Sequence, residues 1–208
     1  MRFDIITIFP NIFQSYFSES ILKRAQEKRL IKIAAHNLRD FATDKHKKVD
    51  DRPYGGGPGM VFKVEPIFKA VQFLKLKTKN LKLKTRVILF STRGKKLDAK
   101  KAKELAKFKH LILICGRYEG VDERVAKYIA DEEISVGDYV LSGGELPAMI
   151  LVDTVARQVP GVLGTRESLE EIKGSYPVYT RPEVFRKWKV PKDLLSGHHE
   201  KIAEWRQN

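Results

Sequence analysis

The stretch Ile134-Ser-Val-Gly-Asp-Tyr-Val-Leu-Ser-Gly-Gly-Glu-Leu-Pro-Ala148 decides how the chain is organised. It begins as a short apolar strand and continues through two loop segments, which contain Gly137, Gly143 and Gly144. Paired glycines let a backbone turn tightly and approach a ligand closely, because no Cβ stands in the way. Pro147 suits the first turn of a helix, where its missing N–H is not needed. The stretch predicts a loop that offers backbone groups to a flat heterocycle; a plain strand–turn–helix junction is the alternative.

Composition places the chain in a broad class. It has 208 residues, enough for one domain or one domain with a small appendage. Its 40 Lys and Arg against 26 Asp and Glu give a net charge of +14, a balance typical of nucleic-acid binding. No apolar run is long enough to span a membrane, and the first residues lack a secretory signal pattern. Cys115 is the single cysteine, so no disulfide framework or cysteine-based zinc site exists. We expect a cytoplasmic protein that does not enter a membrane.

Hydrophobic periodicity predicts an α/β fold. Residues 3–9 form a buried strand, residues 11–29 a helix and residues 30–37 a second strand, which together indicate a parallel βαβ unit. Further helices are expected over 64–76, from Asp98 and over 122–130, and further buried strands over 87–90 and 110–114. A helix is then expected from Met149 to Arg157. The lysine-rich segment 75–86 is expected to be a solvated connection or an edge ribbon.

Three of these strands end in loops of small residues. Ligands of open α/β sheets lie outside the carboxyl ends of the strands. Ser91, the segment from Gly116 to Glu119 and the segment from Gly137 to Gly144 should therefore line one pocket. Cys115, at one of these strand ends, is interpreted as a small core residue.

Two basic segments favour RNA. Residues 38–60 form a polar loop without hydrophobic period, and its cations could hold phosphates, although a solvated hinge is the alternative. Residues 164–175 have the character of a linker. Residues 176–208 mix aromatic rings with cations, the combination that binds looped RNA. The pair His198-His199 does not fit a zinc site, because adjacent histidines rarely face one ion.

Six strings occur in order and resemble a known family. They are Arg52-Pro-Tyr-Gly-Gly-Gly-Pro-Gly-Met60, Cys115-Gly-Arg-Tyr-Glu-Gly-Val-Asp-Glu-Arg124, Val136 to Ala148, Pro160-Gly-Val-Leu-Gly164, Tyr179-Thr-Arg-Pro-Glu183 and Ser196-Gly-His-His-Glu200. Over nearly the whole chain they resemble the bacterial tRNA (guanine-N1)-methyltransferases, which modify the guanosine 3′ of the anticodon. The resemblance implies a SPOUT-class, mostly parallel sheet with a trefoil knot over residues 1–163. It also implies a linker over 164–175 and a small, mainly helical, tRNA-binding domain over 176–208.

The resemblance further implies a homodimer that binds S-adenosylmethionine and the anticodon stem-loop of tRNA. The resemblance also suggests that Mg²⁺ is a cofactor, but the sequence has no motif of Mg²⁺ ligands. No metal-binding residue is therefore predicted. By motif position the cofactor pocket would use Leu89, Phe90, Ser91, Gly116, Tyr118, Glu119, Val136, Gly137, Tyr139, Leu141, Gly143, Gly144 and Pro147. Candidate RNA-binding residues are Arg24, Lys45, His46, Arg52, Tyr54, Arg181, Arg186, His198 and His199.

Methyl transfer to guanine N1 needs a base for the N1 proton and a cation for charge on O6. By motif position the cation is Arg157, and Glu119 joins the catalytic candidates. The family's general base is an aspartate in the linker, but its position here holds Ile172. We hypothesise that Glu171, or Glu170, takes this role; the alternative is that both are solvated linker charges.

Because the linker aspartate is missing and the composition is typical of RNA-binding proteins, two other functions are considered. One is a non-catalytic RNA-binding protein on the same scaffold. The other is a SPOUT enzyme that acts on a different RNA position. The intact pocket strings and Arg157 oppose the first, and the match through the C-terminal segment opposes the second.

Overall fold

The computed structural model describes residues 1–164 and 176–207. The chain divides into two units, Met1–Thr165 and Arg166–Asn208. The sheet of the first unit contains β1 Arg2–Thr7, β2 Lys32–Asn37, β5 Thr85–Lys96, β6 His110–Ile114 and β7 Glu132–Ser135. Its five strands are all parallel and lie in the order β2-β1-β6-β5-β7. The predicted α/β class with a parallel sheet is confirmed; the knot remains a prediction.

Helices cover both faces of this sheet. They are α1 Gln14–Phe17, α2 Ser20–Glu27, α3 Val64–Thr78, α4 Ala99–Leu105, α5 Glu123–Tyr128 and α6 Glu145–Ala156. The central strand β6 is buried on both sides, which is why it reads as a continuous apolar run. Leu111 and Leu113 pack in the core of α2, α4 and α6. Ile112 and Ile114 pack in the core of α3 and α5 on the other face.

The helix expected over residues 11–29 is broken, so that prediction is wrong in detail. A 3-10 turn covers Pro10–Phe13, followed by the separate helices α1 and α2. Ser20 has φ of 50°, a left-handed conformation that interrupts the helical ladder. The side-chain amide of Gln26 donates to the Phe17 carbonyl at 2.8 Å and so satisfies one group freed by the break.

The residues expected to form a loop after strand 87–90 belong to the strand. Strand β5 continues to Lys96, and its pairing with β7 shifts register between Phe90 and Lys95. Residues 91–94 lie outside the regular pairing and form a bulge. Bulges often occur next to functional sites, where they change the direction of side chains. A Cβ on Gly94 would lie 2.5 Å from the Ile134 backbone nitrogen, so this close approach requires glycine.

The long loop 38–60 is anchored at both ends, which its lack of hydrophobic period did not indicate. A 3-10 turn covers Leu38–Phe41, and Val49 is buried. The two-residue strand β3 Asp50–Asp51 pairs with β4 Val61–Phe62 in antiparallel fashion. The exposed cations of the loop are therefore held against the body of the unit rather than on a free hinge.

Two further helix boundaries differ from expectation. Helix α3 extends to Thr78 and is followed by a 3-10 turn at Lys79–Leu81, so only part of the segment 75–86 is a connection. Helix α6 begins at Glu145 instead of Met149. Pro147 is then the third helical residue, where no intrahelical N–H bond is needed.

The second unit, over its described residues 176–207, adds a small hairpin to helices. Strands Val184–Phe185 and Trp188–Lys189 pair antiparallel, and helices cover Lys192–Leu195 and His199–Gln207. Tyr179 packs edge-on against Trp205 with ring centroids 5.9 Å apart. Arg206 lies over the ring of Tyr176 at 5.0 Å. Such stacked ring–cation pairs stabilise a unit with little core of its own.

A buried carboxylate ties three strands of the first unit together. Asp4 on β1 is fully buried, and its oxygens lie 2.7 Å from His36 Nε2 of β2 and 2.7 Å from His110 Nε2 of β6. Arg2 Nη2 donates to the same carboxylate at 2.8 Å. Burial raises the pKa of Asp4, but the hydrogen bonds from His110, His36 and Arg2 outweigh it and hold the pKa well below its usual range.

Replacing Asp4 by Asn should destabilise the fold by about 2–3 kcal/mol at pH 7, because an amide cannot accept hydrogen bonds from both imidazoles. Since folding lowers the pKa of Asp4, its stabilisation is complete above the unfolded-state pKa of about 3.9 and is lost as the pH falls below it. Urea unfolding from pH 7 to pH 3 measures both effects.

The control is Glu65→Gln, which removes an exposed ion pair with Lys69 and should cost about 0.5 kcal/mol or less. Equal losses in the two variants, or an unchanged acid-dependent component in Asp4→Asn, contradict the assignment.

Candidate active site

A cavity of about 440 Å³ lies at the carboxyl ends of β5, β6 and β7. Its walls come from the bulge after Phe90, the loop after Cys115 and the loop from Val136 to Gly144. All residues predicted for the cofactor pocket line it: Leu89, Phe90, Ser91, Gly116, Tyr118, Glu119, Val136, Gly137, Tyr139, Leu141, Gly143, Gly144 and Pro147. The position follows the rule for parallel sheets, since the strand ends meet at one edge.

Backbone contacts join two of these loops. The Gly144 N–H donates to the Gly116 carbonyl at 2.9 Å. Arg117 and Gly143 form an isolated antiparallel bridge. Because β5 lies between β6 and β7 in the sheet, the loop that follows β7 must cross β5 to reach the end of β6. The cavity is therefore closed by main-chain hydrogen bonds instead of by side chains alone.

Glycine is required at this junction. A Cβ on Gly144 would lie 2.6 Å from the Cys115 Cα, and one on Gly137 would lie 2.2 Å from the Tyr139 ring. Neither distance is tolerated without movement, and at Gly144 the neighbour is backbone. The result is a cavity wall of main chain beside an aromatic ring, which suits the edge and face of a flat heterocycle.

A buried ion pair that sequence reasoning missed supports the cradle. Glu145 is only 1% exposed; it accepts from Thr7 Oγ1 at 2.8 Å and from Arg117 Nε at 2.9 Å. The guanidinium of Arg117 also lies over the Phe9 ring at 4.8 Å. These contacts fix the first turn of α6 to the ends of β1 and β6. The only local signal was a charged residue between two glycines and a proline.

Acidic side chains form one wall of the cavity, and these too were missed. Arg93 Nη2 donates to Glu123 Oε2 at 2.8 Å and lies 3.6 Å from Glu133 Oε1. The hydrogen bond from Arg93 lowers the pKa of Glu123 and keeps it ionised. Together with the exposed Glu119, these groups give the cavity carboxylates that can accept hydrogen bonds or balance a cation.

The long basic loop is attached to the site. Phe62 N donates to the Gly120 carbonyl at 3.0 Å, and its ring meets Tyr118 edge-on at 5.5 Å. Glu119 N donates to the Met60 carbonyl at 3.0 Å. The predicted RNA-binding residues Lys45, His46, Arg52 and Tyr54 of this loop are exposed, as is Arg24 on α2. In the second unit, Arg181, Arg186, His198 and His199 are also exposed.

The catalytic candidates are not all brought together. Glu119 lines the cavity, whereas Arg157 lies at the opposite end of α6 from Gly144. Glu170 and Glu171 lie outside the described residues. Cys115 is buried, and burial raises the pKa of its thiol, as does the nearby charge of Glu145. Cys115 therefore lies in the core, as expected for a structural cysteine.

Residues 1–164 and 176–207 contain neither a candidate metal site nor a candidate membrane span. No three His, Cys, Asp or Glu side chains there cluster so that they could hold a metal ion. No helix in those ranges has both the length and the apolar character needed to cross a membrane.

Comparison with solved structures identifies the class. The fold is similar to the crystal structure of the tRNA (m1G37) methyltransferase from Aquifex aeolicus, with a TM-score of 0.84 and 45% identity. The match covers 99% of this chain and 87% of that one. The fold is that of the SPOUT-class methyltransferases.

Comparison of sequences identifies the family. The family model described as tRNA (Guanine-1)-methyltransferase TrmD matches residues 1–208. A tRNA (guanine-N(1)-)-methyltransferase from Dictyoglomus turgidum is 57% identical over 100% of this chain and 84% of its own length. One from Geobacillus kaustophilus is 53% identical over 100% of this chain and 85% of its own. The chain belongs to the tRNA (guanine-N1)-methyltransferase family, as the resemblance predicted.

Replacing Gly144 by Ala should lower the unfolding free energy by more than about 2 kcal/mol, because the methyl group meets the Cys115 backbone, which cannot move aside. Gly164→Ala is the matched control, since a Cβ there meets nothing within 4 Å. Thermal unfolding of both variants measures the difference. A Gly144→Ala protein as stable as the control contradicts the required close approach.

Proposed function

We propose that this protein methylates N1 of the guanosine 3′ of the anticodon in tRNA, with S-adenosylmethionine as methyl donor. The observation that carries the proposal is the glycine-lined cavity, around which all the residues expected to hold the donor lie together. Family membership supports the same chemistry. A non-catalytic or differently targeted RNA-binding protein is not favoured, because close relatives over the full chain bear the enzyme's name. We also infer that the enzyme acts in the cytoplasm, where it would meet its tRNA substrate.

The cavity fits a methyl donor with a flat adenine ring. The loop from Val136 to Gly144 would receive the ring, with Tyr139 beside it. Carboxylates in the wall would face the cationic groups of the donor. When bound, S-adenosylmethionine supplies an electrophilic methyl group on a sulfonium sulfur.

The protein's own groups must then accept the proton of guanine N1 and stabilise the negative charge that develops on O6. Guanine N1 carries a proton at neutral pH, and a carboxylate of the linker, Glu171 or Glu170, would accept it as the new bond forms. Arg157 would stabilise the negative charge that gathers on O6. The lone pair released at N1 is thereby directed to the methyl carbon instead of remaining in an N–H bond.

A single copy of the chain cannot bring Arg157 to the cavity. Helix α6 has 12 residues, so about 18 Å separates Arg157 from the cavity end of the helix. We infer that the enzyme is a homodimer in which one protomer holds the donor and its partner supplies the arginine. Large apolar side chains that are about half exposed support such an interface. Leu146 and Ile150 lie on α6, and Ile12 and Tyr16 lie near the N-terminus of the chain.

Tyr16 links this surface to α6. Its hydroxyl donates to Asp153, and that hydrogen bond raises the pKa of Tyr16 to about 12. The same hydrogen bond ties the ring of Tyr16 to α6. A partly apolar surface of this kind is typical of obligate interfaces.

Labelled S-adenosylmethionine and two tRNA transcripts test the reaction. Label should enter the transcript with guanosine 3′ of the anticodon and not the one in which another base replaces it. Label in neither transcript supports the binding protein, and label in both supports a different target.

Linker variants test the base. Glu171→Gln or Glu170→Gln should slow single-turnover transfer by a factor on the order of 10² to 10⁴, because general-base catalysis is lost. Glu167→Gln, in the same linker, is the matched control and should leave the rate unchanged. Unaltered transfer in both of the first two variants excludes a carboxylate base at these positions.

Mixed dimers test the shared site. Arg157→Ala and Tyr139→Ala should each abolish most activity, but co-expressed chains should regain roughly a quarter of it, because half of the random pairs are mixed and each has one complete site. If donor pocket and arginine act within one chain, mixing restores nothing.

A further inference from the structure

One carboxylate oxygen in the cavity wall has no hydrogen-bond partner. Glu133 lies on β7 opposite Leu89 of β5, and both residues line the cavity. Within residues 1–164 and 176–207, its Oε1 is the only buried side-chain nitrogen or oxygen without such a partner. Leaving a buried acceptor unsatisfied costs about 1–3 kcal/mol, and more if it is charged. An isolated case of this kind beside a cavity points to a ligand that supplies the donor.

The nearest cation does not satisfy this oxygen. Arg93 donates to Glu123 at 2.8 Å and approaches Glu133 Oε1 only to 3.6 Å. That distance balances part of the charge but is too long for a good hydrogen bond. The backbone next to Arg93 is held in place, because Gly94 lies against the Ile134 backbone. Glu133 therefore keeps an acceptor for a ligand.

The position of Glu133 decides which part of the ligand it meets. It lies three residues before Val136, where the loop that suits the edge of a heterocycle begins. In an adenine nucleoside the ribose is bonded directly to that ring, whereas the amino-acid end of the donor is several bonds further away. Glu119, on the opposite loop, is available to the ammonium group of that end. In Rossmann dinucleotide sites, which also lie at the carboxyl ends of parallel strands, a carboxylate accepts the hydrogen bond of a ribose hydroxyl.

We propose that Glu133 accepts a hydrogen bond from a ribose hydroxyl of the methyl donor, which makes it a specificity-determining residue for ribonucleosides over deoxyribonucleosides. The inference rests on the proposed function, because it assumes that the donor occupies this cavity. Nothing in the six sequence strings assigned a role to this glutamate.

Calorimetry with S-adenosylhomocysteine, its 2′-deoxy and 3′-deoxy analogues and methylthioadenosine tests the proposal. The wild type should bind at least one deoxy analogue on the order of 10- to 100-fold more weakly, as expected for loss of a hydrogen bond to a charged group. Glu133→Gln should weaken S-adenosylhomocysteine and methylthioadenosine similarly, but should change that deoxy analogue by no more than about twofold. Glu132→Gln, the same change one residue earlier and outside the cavity, should keep the ribose preference.

Three outcomes overturn the proposal. Glu133→Gln could leave S-adenosylhomocysteine binding unchanged, or could weaken all the compounds equally. Its effect could also vanish with methylthioadenosine, which lacks the amino-acid part, and the carboxylate would then bind the ammonium group. If Glu133→Gln does not fold, binding to the wild type alone tests the proposal. Equal affinity of the wild type for S-adenosylhomocysteine and for both of its deoxy analogues excludes the contact. A wild type that binds S-adenosylhomocysteine without ribose preference overturns this inference alone, whereas one that does not bind it overturns the proposed function as well.

Discussion

The close approach of Gly144 to the main chain at Cys115 and Gly116 determines how the site is built. The two loops come from β6 and β7, which are separated by β5 in the sheet. The loop after β7 therefore crosses β5, and a backbone hydrogen bond of 2.9 Å joins it to the loop after β6. Only glycine permits this spacing, because any side chain at position 144 would occupy the space of the Cys115 backbone. Helix α6 then begins at once, and its first residue, Glu145, is buried against Thr7 and Arg117.

The sequence predicted the sheet better than the details of its connections. Buried parallel strands read as apolar runs because both faces are covered, and β6 shows this most clearly. The bulge before Lys95 was not predictable, because it depends on the close approach of Gly94 to the Ile134 backbone, 40 residues further along the chain. The start of α6 at Glu145 has the same origin: the partner of its carboxylate, Thr7, is 138 residues away in the chain. No window of neighbouring residues contains that information.

The candidate site divides in the same way. The loops at the strand ends were predicted from small residues after apolar runs, and the family strings assigned their members. The sequence did not predict a role for Arg117, Glu145 or Glu133, because a charged residue in a local pattern normally indicates a solvated surface. Their burial is explained only by partners that the fold supplies, such as the Arg117 guanidinium for Glu145. At Ile172 the sequence shows that the family's aspartate is missing, but it does not show which residue takes its role.

Charge is distributed in a way that separates the two proposed substrates. The chain as a whole carries +14, and the exposed cations of the long loop, such as Lys45 and Arg52, would attract the phosphates of RNA from a distance. The cavity wall carries Glu119, Glu123 and Glu133 beside the paired cations Arg93 and Arg117. Under the proposed function, these carboxylates would attract the sulfonium and ammonium groups of the methyl donor. The exposed cations outside the cavity would attract the phosphates of tRNA, so each substrate would meet charge of the opposite sign.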